Sequence, residues 1–264
     1  MIKKRVAIVT GGTRGIGKAI SLALAAQGDI VVAVYRSDSK AAKETELELK
    51  RHVPQSTVEQ VDLARAGAIK EFVAETDSRF GRIDILVNNA GICEFCFIED
   101  LSDEAFDRTF DINFKSQLRL IKAVAPIMKR SGFGRIVNAS SVSGSLADVS
   151  QTAYGVSKAA INMLTRISSG ELGPYGITVN AYAPGIVHTD MTDAMIKDRG
   201  DIQARQIALQ SFGKGEDVAA LVQYLVSDAA KYITGEIIGI DGGMFKVQNP
   251  FRAYDYVNSR KEER

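Results

Sequence analysis

Tyr154 and Lys158 stand four residues apart in YGVSK, directly after a run rich in Ser, Gly and Ala. A free phenol titrates near ~10 and exchanges protons poorly at neutral pH. Residues four apart on a helix share a face, so the Lys158 ammonium would lie beside the Tyr154 ring. A neighbouring cation favours phenolate, lowers the phenol's pKa towards operating pH and would fit Tyr154 for general acid–base work. A second cluster is TGGTRGIGKAI, with Gly11, Gly15 and Gly17 between an apolar run and a helical pattern. Glycines there let the backbone turn tightly and let a pyrophosphate approach the N–H groups and positive dipole of a helix start, although the spacing departs from G-x-G-x-x-G. Taken alone, the tyrosine–lysine pair is also an ordinary amphipathic contact, and the glycines an ordinary tight turn. Cys93 and Cys96 form a C-x-x-C in GICEFC, the spacing of a redox pair or half a metal site. Zinc would need further ligands, and His52 and His188 form no ligand-spaced cluster, so the cysteines read as small, partly buried packing residues and no metal is expected.

The elements that must position these groups follow from the apolar pattern. RVAIVT, DIVVAVY, STVEQVD, IDILVNN, GRIVNAS, GITVNAY and EIIGID read as seven strands, with helix-length intervals between them. Their near-continuous Val and Ile suit parallel strands buried on both faces, which predicts an α/β, doubly wound parallel seven-stranded sheet of the Rossmann type. The chain of 264 residues carries no linker-like tract or fixed-period repeat, so it reads as one domain over residues 1–245 with a charged tail over 246–264. With 33 Lys plus Arg against 32 Asp plus Glu, it has no global field for nucleic acid or an anionic membrane. No apolar run approaches the roughly 20 residues of a membrane span, and MIKKRVAIVTGG does not read as a signal peptide, so a cytoplasmic protein is expected. The fourth strand ends in NNAG, and carboxyl ends of parallel strands are where such sheets bind ligands.

From Arg5 to about Phe245 the sequence resembles the short-chain dehydrogenase/reductase family. TGGTRGIG resembles its T-G-x-x-x-G-x-G cofactor loop, NNAG its strand-stabilising motif, YGVSK its Y-x-x-x-K, and PGIVHT its P-G segment at the nicotinamide end. The resemblance implies cofactor contacts at Gly11, Thr13, Arg14, Gly15, Ile16, Gly17, Asn89, Ala90, Gly91, Tyr154, Lys158, Pro184, Gly185, Ile186 and Thr189, with Asp62 and Leu63 of VDL beside the adenine. It also implies a catalytic tetrad of Asn113, Ser141, Tyr154 and Lys158. Ser141 lies 13 residues before Tyr154, and Ser140 is its adjacent competitor. In these roles Tyr154 exchanges the proton, Ser141 bonds the substrate oxygen, Lys158 serves phenol and ribose, and Asn113 anchors a water leading to solvent.

Cofactor choice is read at the end of the second strand, where an acid would bond the ribose of NAD and an arginine would accommodate the 2′-phosphate of NADP. Tyr35 and Arg36 stand there, Arg14 adds a second cation, and Asp38, two residues on, reads as a helix cap, so NADP(H) is expected. The general pattern, including Gln151, is closest to 3-oxoacyl-acyl-carrier-protein reductases. Their docking patch carries an arginine where Tyr175 stands, and Lys129 and Arg130 supply only its other basic position, which weakens carrier-protein docking. The mostly apolar wall expected from residues 94–97, 146–149 and a lid over about 186–212 predicts a ketone or 3-oxoacyl substrate. Sugar or polyol oxidation is the alternative within enzymes, and a catalytically silent nucleotide-sensing protein the alternative outside them. The family resemblance further implies a homotetramer with the helix after Thr152 at an interface. Phe251, Tyr254 and Tyr256 leave the tail either packed at a subunit boundary or disordered.

Overall fold

Residues branched at Cβ dominate the seven apolar runs, and in the computed structural model, which describes residues 4–244 and 246–262, each run is a strand. Residues 1–3, 245 and 263–264, on which the outer limits of the expected domain and tail fall, lie outside the described residues. The strands are β1 (Val6–Thr10), β2 (Ile30–Tyr35), β3 (Thr57–Gln60), β4 (Ile85–Asn88), β5 (Gly134–Ala139), β6 (Ile177–Pro184) and β7 (Ile237–Ile240). They pair in parallel in the order β3-β2-β1-β4-β5-β6-β7, with Ile8 registered on Val32 on one side and Leu86 on the other.

Alternation along the strands divides the core in two, because successive side chains point to opposite faces. Val6, Ile8, Leu86 and Ile136 pack with Ile69 and Phe72 of α3 (Ala66–Phe80) and Leu120 and Val124 of α5 (Ser116–Ser131). Ala7, Val9, Ile85 and Val137 pack with Ile20 and Leu24 of α1 (Gly15–Ala26) and Val218 and Val222 of α8 (Gly215–Leu225). Both faces of the sheet are therefore dry, and truncating a fully buried residue such as Leu24 to alanine should cost about 2–5 kcal/mol. A chain of buried amides crosses this core. Asn88 Nδ2 donates to Asn138 Oδ1 at 2.9 Å, and Asn138 Nδ2 donates to Thr165 Oγ1 at 3.0 Å, which ties β4 and β5 to α6 (Thr152–Leu172).

The remaining helices are α2 (Ser39–His52), α4 (Asp103–Phe110), α7 (Asp193–Ala204) and α9 (Phe251–Glu262). Ser102 caps α4 by accepting from Ala105 N, and α4 runs through a π-turn at Asp111–Lys115 directly into α5. The tail forms a helix, α9, which carries Phe251, Tyr254 and Tyr256. Among the described residues no helix is long and apolar enough to cross a membrane. Strand order reverses between β2-β1 and β1-β4, and the crevice outside the carboxyl ends at that point is where an open parallel sheet receives a ligand.

Candidate active site

A cleft of about 910 Å³ opens over those carboxyl ends, near the top of the roughly 300–1,000 Å³ range of small-molecule and cofactor sites. Its floor is the glycine-rich turn. Gly11 and Gly15 hold φ of +61° and +51°, and a Cβ on Gly17 would fall 2.1 Å from the Gly11 carbonyl, so α1 can start this close to β1 only with glycine there. Arg14 occupies the N-cap position without capping through its side chain, and the first turn holds no acid, so the positive end of α1 faces the cleft uncompensated.

NNAG holds this turn in place. Asn89 Nδ2 donates to the Thr10 and Gly11 carbonyls at 2.9 and 3.3 Å, while Thr10 Oγ1 accepts from Asn89 N and Ala90 N at 2.9 and 3.0 Å. The Tyr182 hydroxyl donates to Asn89 Oδ1 at 2.8 Å, and burial raises that phenol's pKa, which keeps it a donor.

One end of the cleft is lined by Tyr35, Arg36, Ser37, Asp62 and Leu63, and Arg14 of the glycine-rich turn lines the cleft as well. Arg14 and Arg36 are exposed, and neither pairs with a carboxylate among the described residues. Asp38 accepts from Ala41 N at 3.0 Å and so caps α2, as its position after Arg36 predicts.

At the other end α6 presents Tyr154 and Lys158. Lys158 is 3% exposed; its Nζ donates to the Ala139 carbonyl at 2.8 Å and lies 5.4 Å from the Tyr154 ring centroid. Burial lowers Lys158 to about 8, with the Cys93 side chain opposing. The Tyr154 phenol is pushed up to about 12 by burial, against a hydrogen bond with Ser141 that pulls it down. This corrects the expectation that the ammonium acidifies the phenol. Burial is the largest influence on the phenol and holds it protonated, and the Lys158 Nζ is turned to a backbone carbonyl.

The two adjacent serines are separated by their partners. Ser140 lines the cleft, is buried and donates to Asn162 Oδ1 at 2.5 Å, whereas Ser141 stands behind the lining, where it accepts from Ser143 N at 3.1 Å and pulls the Tyr154 phenol down. Asn113 sits fully buried on the π-turn. Its Oδ1 accepts from Ile92 N at 2.8 Å, and its Nδ2 donates to Ile92 O at 2.9 Å and Ser157 Oγ at 3.2 Å. A Cβ on Gly91 would lie 3.2 Å from Asn113 Oδ1 and 3.6 Å from Lys158 Nζ, so these two groups converge on one point behind NNAG.

Of the remaining expected contacts, Gly11, Thr13, Gly15, Ile16, Gly17, Asn89, Ala90, Gly91, Pro184 and Thr189 all line the cleft. Gly185 and Ile186 stand behind the lining: Gly185 N donates to Ile240 O at 3.1 Å, and Ile186 O accepts from Gly213 N at 3.0 Å. The sequence did not single out Arg108, Ile112 or Tyr182, which also line it, and it read Cys93 as packing. The available signals were the places of Cys93 two residues after NNAG and Tyr182 two before Pro184. Cys93 is a free thiol that burial pushes up to about 11, with the Lys158 charge opposing. Arg108 Nη2 donates to Glu94 Oε2 at 2.6 Å across the rim. Among the described residues no group of His, Cys, Asp or Glu could hold a metal ion.

The family described as "Enoyl-(Acyl carrier protein) reductase" matches residues 11–245. The 3-oxoacyl-[acyl-carrier-protein] reductase FabG of Staphylococcus epidermidis is 39% identical over 239 residues, 90% of this chain and 98% of that protein. The short-chain dehydrogenase/reductase eriH of Hericium erinaceus is 38% identical over 255 residues, 94% of this chain and 100% of that protein. The crystal structure of levodione reductase superposes with a TM-score of 0.85 at 31% identity, covering 90% of this chain and 96% of the other.

Proposed function

The chain belongs to the short-chain dehydrogenase/reductase family of oxidoreductases, and we propose that it interconverts a carbonyl and a secondary alcohol with NADP(H), acting on a ketone or 3-oxoacyl group. The observation that carries this reading is the presence of Tyr154 and Lys158, with Ser141 behind them, at one end of a dinucleotide-sized cleft whose other end holds two arginines without a carboxylate partner among the described residues. The residues present fit the cofactor. Gly11, Gly15 and Gly17 keep side chains off the floor at three positions, the α1 N-terminus faces it, and Arg14 and Arg36 supply cations for a 2′-phosphate. When bound, the nicotinamide donates or accepts the hydride.

The chain's own groups handle the proton. In reduction Tyr154, held protonated by its burial, donates to the substrate oxygen, and Ser141 hydrogen-bonds the same oxygen and stabilises its developing charge. Lys158, with a pKa lowered to about 8, carries an exchangeable proton beside that phenol, and Asn113 fixes the Ile92 backbone where a water can pass the proton on. Carrier-protein docking is disfavoured further by the surface. Lys129 Nζ stacks over Tyr175 at 4.0 Å, and Arg130 pairs with both carboxylate oxygens of Asp77 at 2.7 and 2.9 Å. A free ketone or small thioester is therefore favoured over a carrier-bound chain. The protein assembles as a homotetramer, for which Val156, Met163 and Ile167 give α6 an exposed apolar face; light scattering that finds a monomer at micromolar concentration would contradict this.

The test is a screen of ketones, 3-oxoacyl thioesters and sugar alcohols with NADPH, NADH and their oxidised forms. Turnover of a ketone or oxoacyl thioester with NADPH is expected. Turnover confined to polyols, or cofactor binding without turnover across the whole screen, refutes the assignment.

A further inference from the structure

Helix α9 lies beyond the segment that the family match covers, and its side-chain anchorage is specific. Arg205, the residue at which α7 ends, places its guanidinium 5.3 Å from the Phe251 ring centroid and its Nη2 3.4 Å from Asp255 Oδ2. Phe251 and Asp255 are four apart and share one face of α9, so a single side chain grips the helix at two points. The chain that follows Arg205 meets the chain that follows β7 a second time. A Cβ on Gly242 would lie 2.8 Å from Ile207 Cγ2, one on Gly243 would lie 2.8 Å from Ala208 Cβ, and Leu209 N donates to the Gly242 carbonyl at 3.1 Å.

The segment held in this way follows directly on the wall of the cleft. Thr189, Asp190 and Met191 line it just before α7 begins, and Thr192 Oγ1 ties that turn together by accepting from Thr189 N at 3.0 Å. Helix α7 itself buries none of its residues and breaks at Arg199, where φ is −143°. A helix with no buried face has little packing to fix its position, so its placement depends on its two ends. The first end is set by the cleft, and the second by Arg205 and the two glycines.

We propose that α9 is a brace for the α7 segment, with Arg205 as the positioning residue that joins them, so that the C-terminal helix sets how firmly the cleft closes on its carbonyl substrate. The inference rests on the proposed reading of the cleft for its effect on catalysis, but not for the mechanical link. Exposed ion pairs and cation–π contacts are individually weak, so the brace adjusts closure by small factors rather than switching it on or off.

Two variants test it: a chain ending at Gln248, and full-length Arg205→Ala, with Arg205→Lys as the conservative control. Amide hydrogen exchange over residues 193–204 should quicken about three- to tenfold in the first two, and the combined variant should exchange no faster than the truncated chain alone. In the active enzyme KM for the carbonyl should rise about three- to fivefold, NADPH affinity should stay within about twofold, and Arg205→Lys should recover part of the loss. The brace is refuted by unchanged exchange over 193–204 in both variants. It is refuted equally by additive effects of the two changes, or by light scattering in which truncation breaks the assembly while Arg205→Ala leaves exchange untouched, since the tail would then act between subunits. Because exchange is read without substrate, failure of the carbonyl reading and failure of the brace give different results.

Discussion

The two ends of the cleft are built on opposite principles. At the reaction end Asn113, Ser141 and Lys158 are buried, and each is fixed by partners: Asn113 by Ile92 and Ser157, Ser141 by Ser143, and Lys158 by Ala139. At the adenosine end Arg14 and Arg36 extend into solvent with no carboxylate partner among the described residues, and the nearby acid, Asp38, is spent on capping α2. Where a reaction needs atoms held to a fraction of an ångström, the chain invests in burial and paired polar groups. Where it needs only to prefer one charge over another, flexible surface cations suffice.

The largest expected effect tests the buried end. Tyr154→Phe removes one hydroxyl from a ring whose packing stays filled, so turnover should fall by roughly 10²-fold or more while folding and cofactor affinity remain within about twofold. Near-normal turnover in the purified variant would remove Tyr154 from the chemistry. The exposed end should respond through affinity instead. Arg36→Ala should weaken NADPH by roughly 10- to 100-fold, the value of a charge-assisted contact, and change NADH by no more than about threefold. Equal losses for both cofactors, measured by fluorescence titration, would mean that Arg36 does not read the phosphate.

A pH profile separates the ends again. Lys158 is lowered to about 8, so it holds its proton below that value and is neutral above it. If it resupplies Tyr154 during reduction, the reduction rate should be level below about pH 8 and fall about tenfold per unit above it. A profile level to pH 10 would exclude Lys158 as the proton source. The smallest effect belongs to the cap. Asp38→Ala should cost about 1 kcal/mol of stability by urea denaturation and leave the NADPH-to-NADH ratio unchanged; a shift of that ratio towards NADPH would show Asp38 acting on the ribose as well.

Legibility in the sequence follows the same division between local and non-local causes. Strands such as VAIVT and IVVAVY, and the glycine turn, were readable because period, branching and the absence of a Cβ act within a few residues. The α6 pair was readable because four residues make one helical turn. The protonation of Tyr154 was not, since it depends on how much of the fold closes around the hydroxyl, and spacing shows the cation without showing the desolvation. Cys93 and Tyr182 escaped for a related reason. Each reaches the cleft from a strand end whose neighbours are set by the sheet order, and Tyr182 meets Asn89 across 93 positions of sequence. The sequence predicts a lid over about 186–212, of which Thr189, Asp190 and Met191 line the cleft, and the tie from Arg205 to α9 spans 50 positions and has no local signature.

The π-turn at Asp111–Lys115 carries a consequence for how this gene can change in length. A π-turn is wider than an α-turn by one residue, so the segment behaves as a helix into which a single residue has been inserted. Removing one residue there would let α4 and α5 merge into one regular helix, and because the wide turn absorbs its extra residue locally, the helix on either side would keep its register. Leu120 and Val124 would stay on the core face, and the loss would fall on Asn113, which reaches the Ile92 backbone from the widened turn. A one-residue deletion in DINFK should therefore spare the packing of α5 while removing the Asn113 anchor, so this stretch of five residues separates loss of the site from loss of the fold.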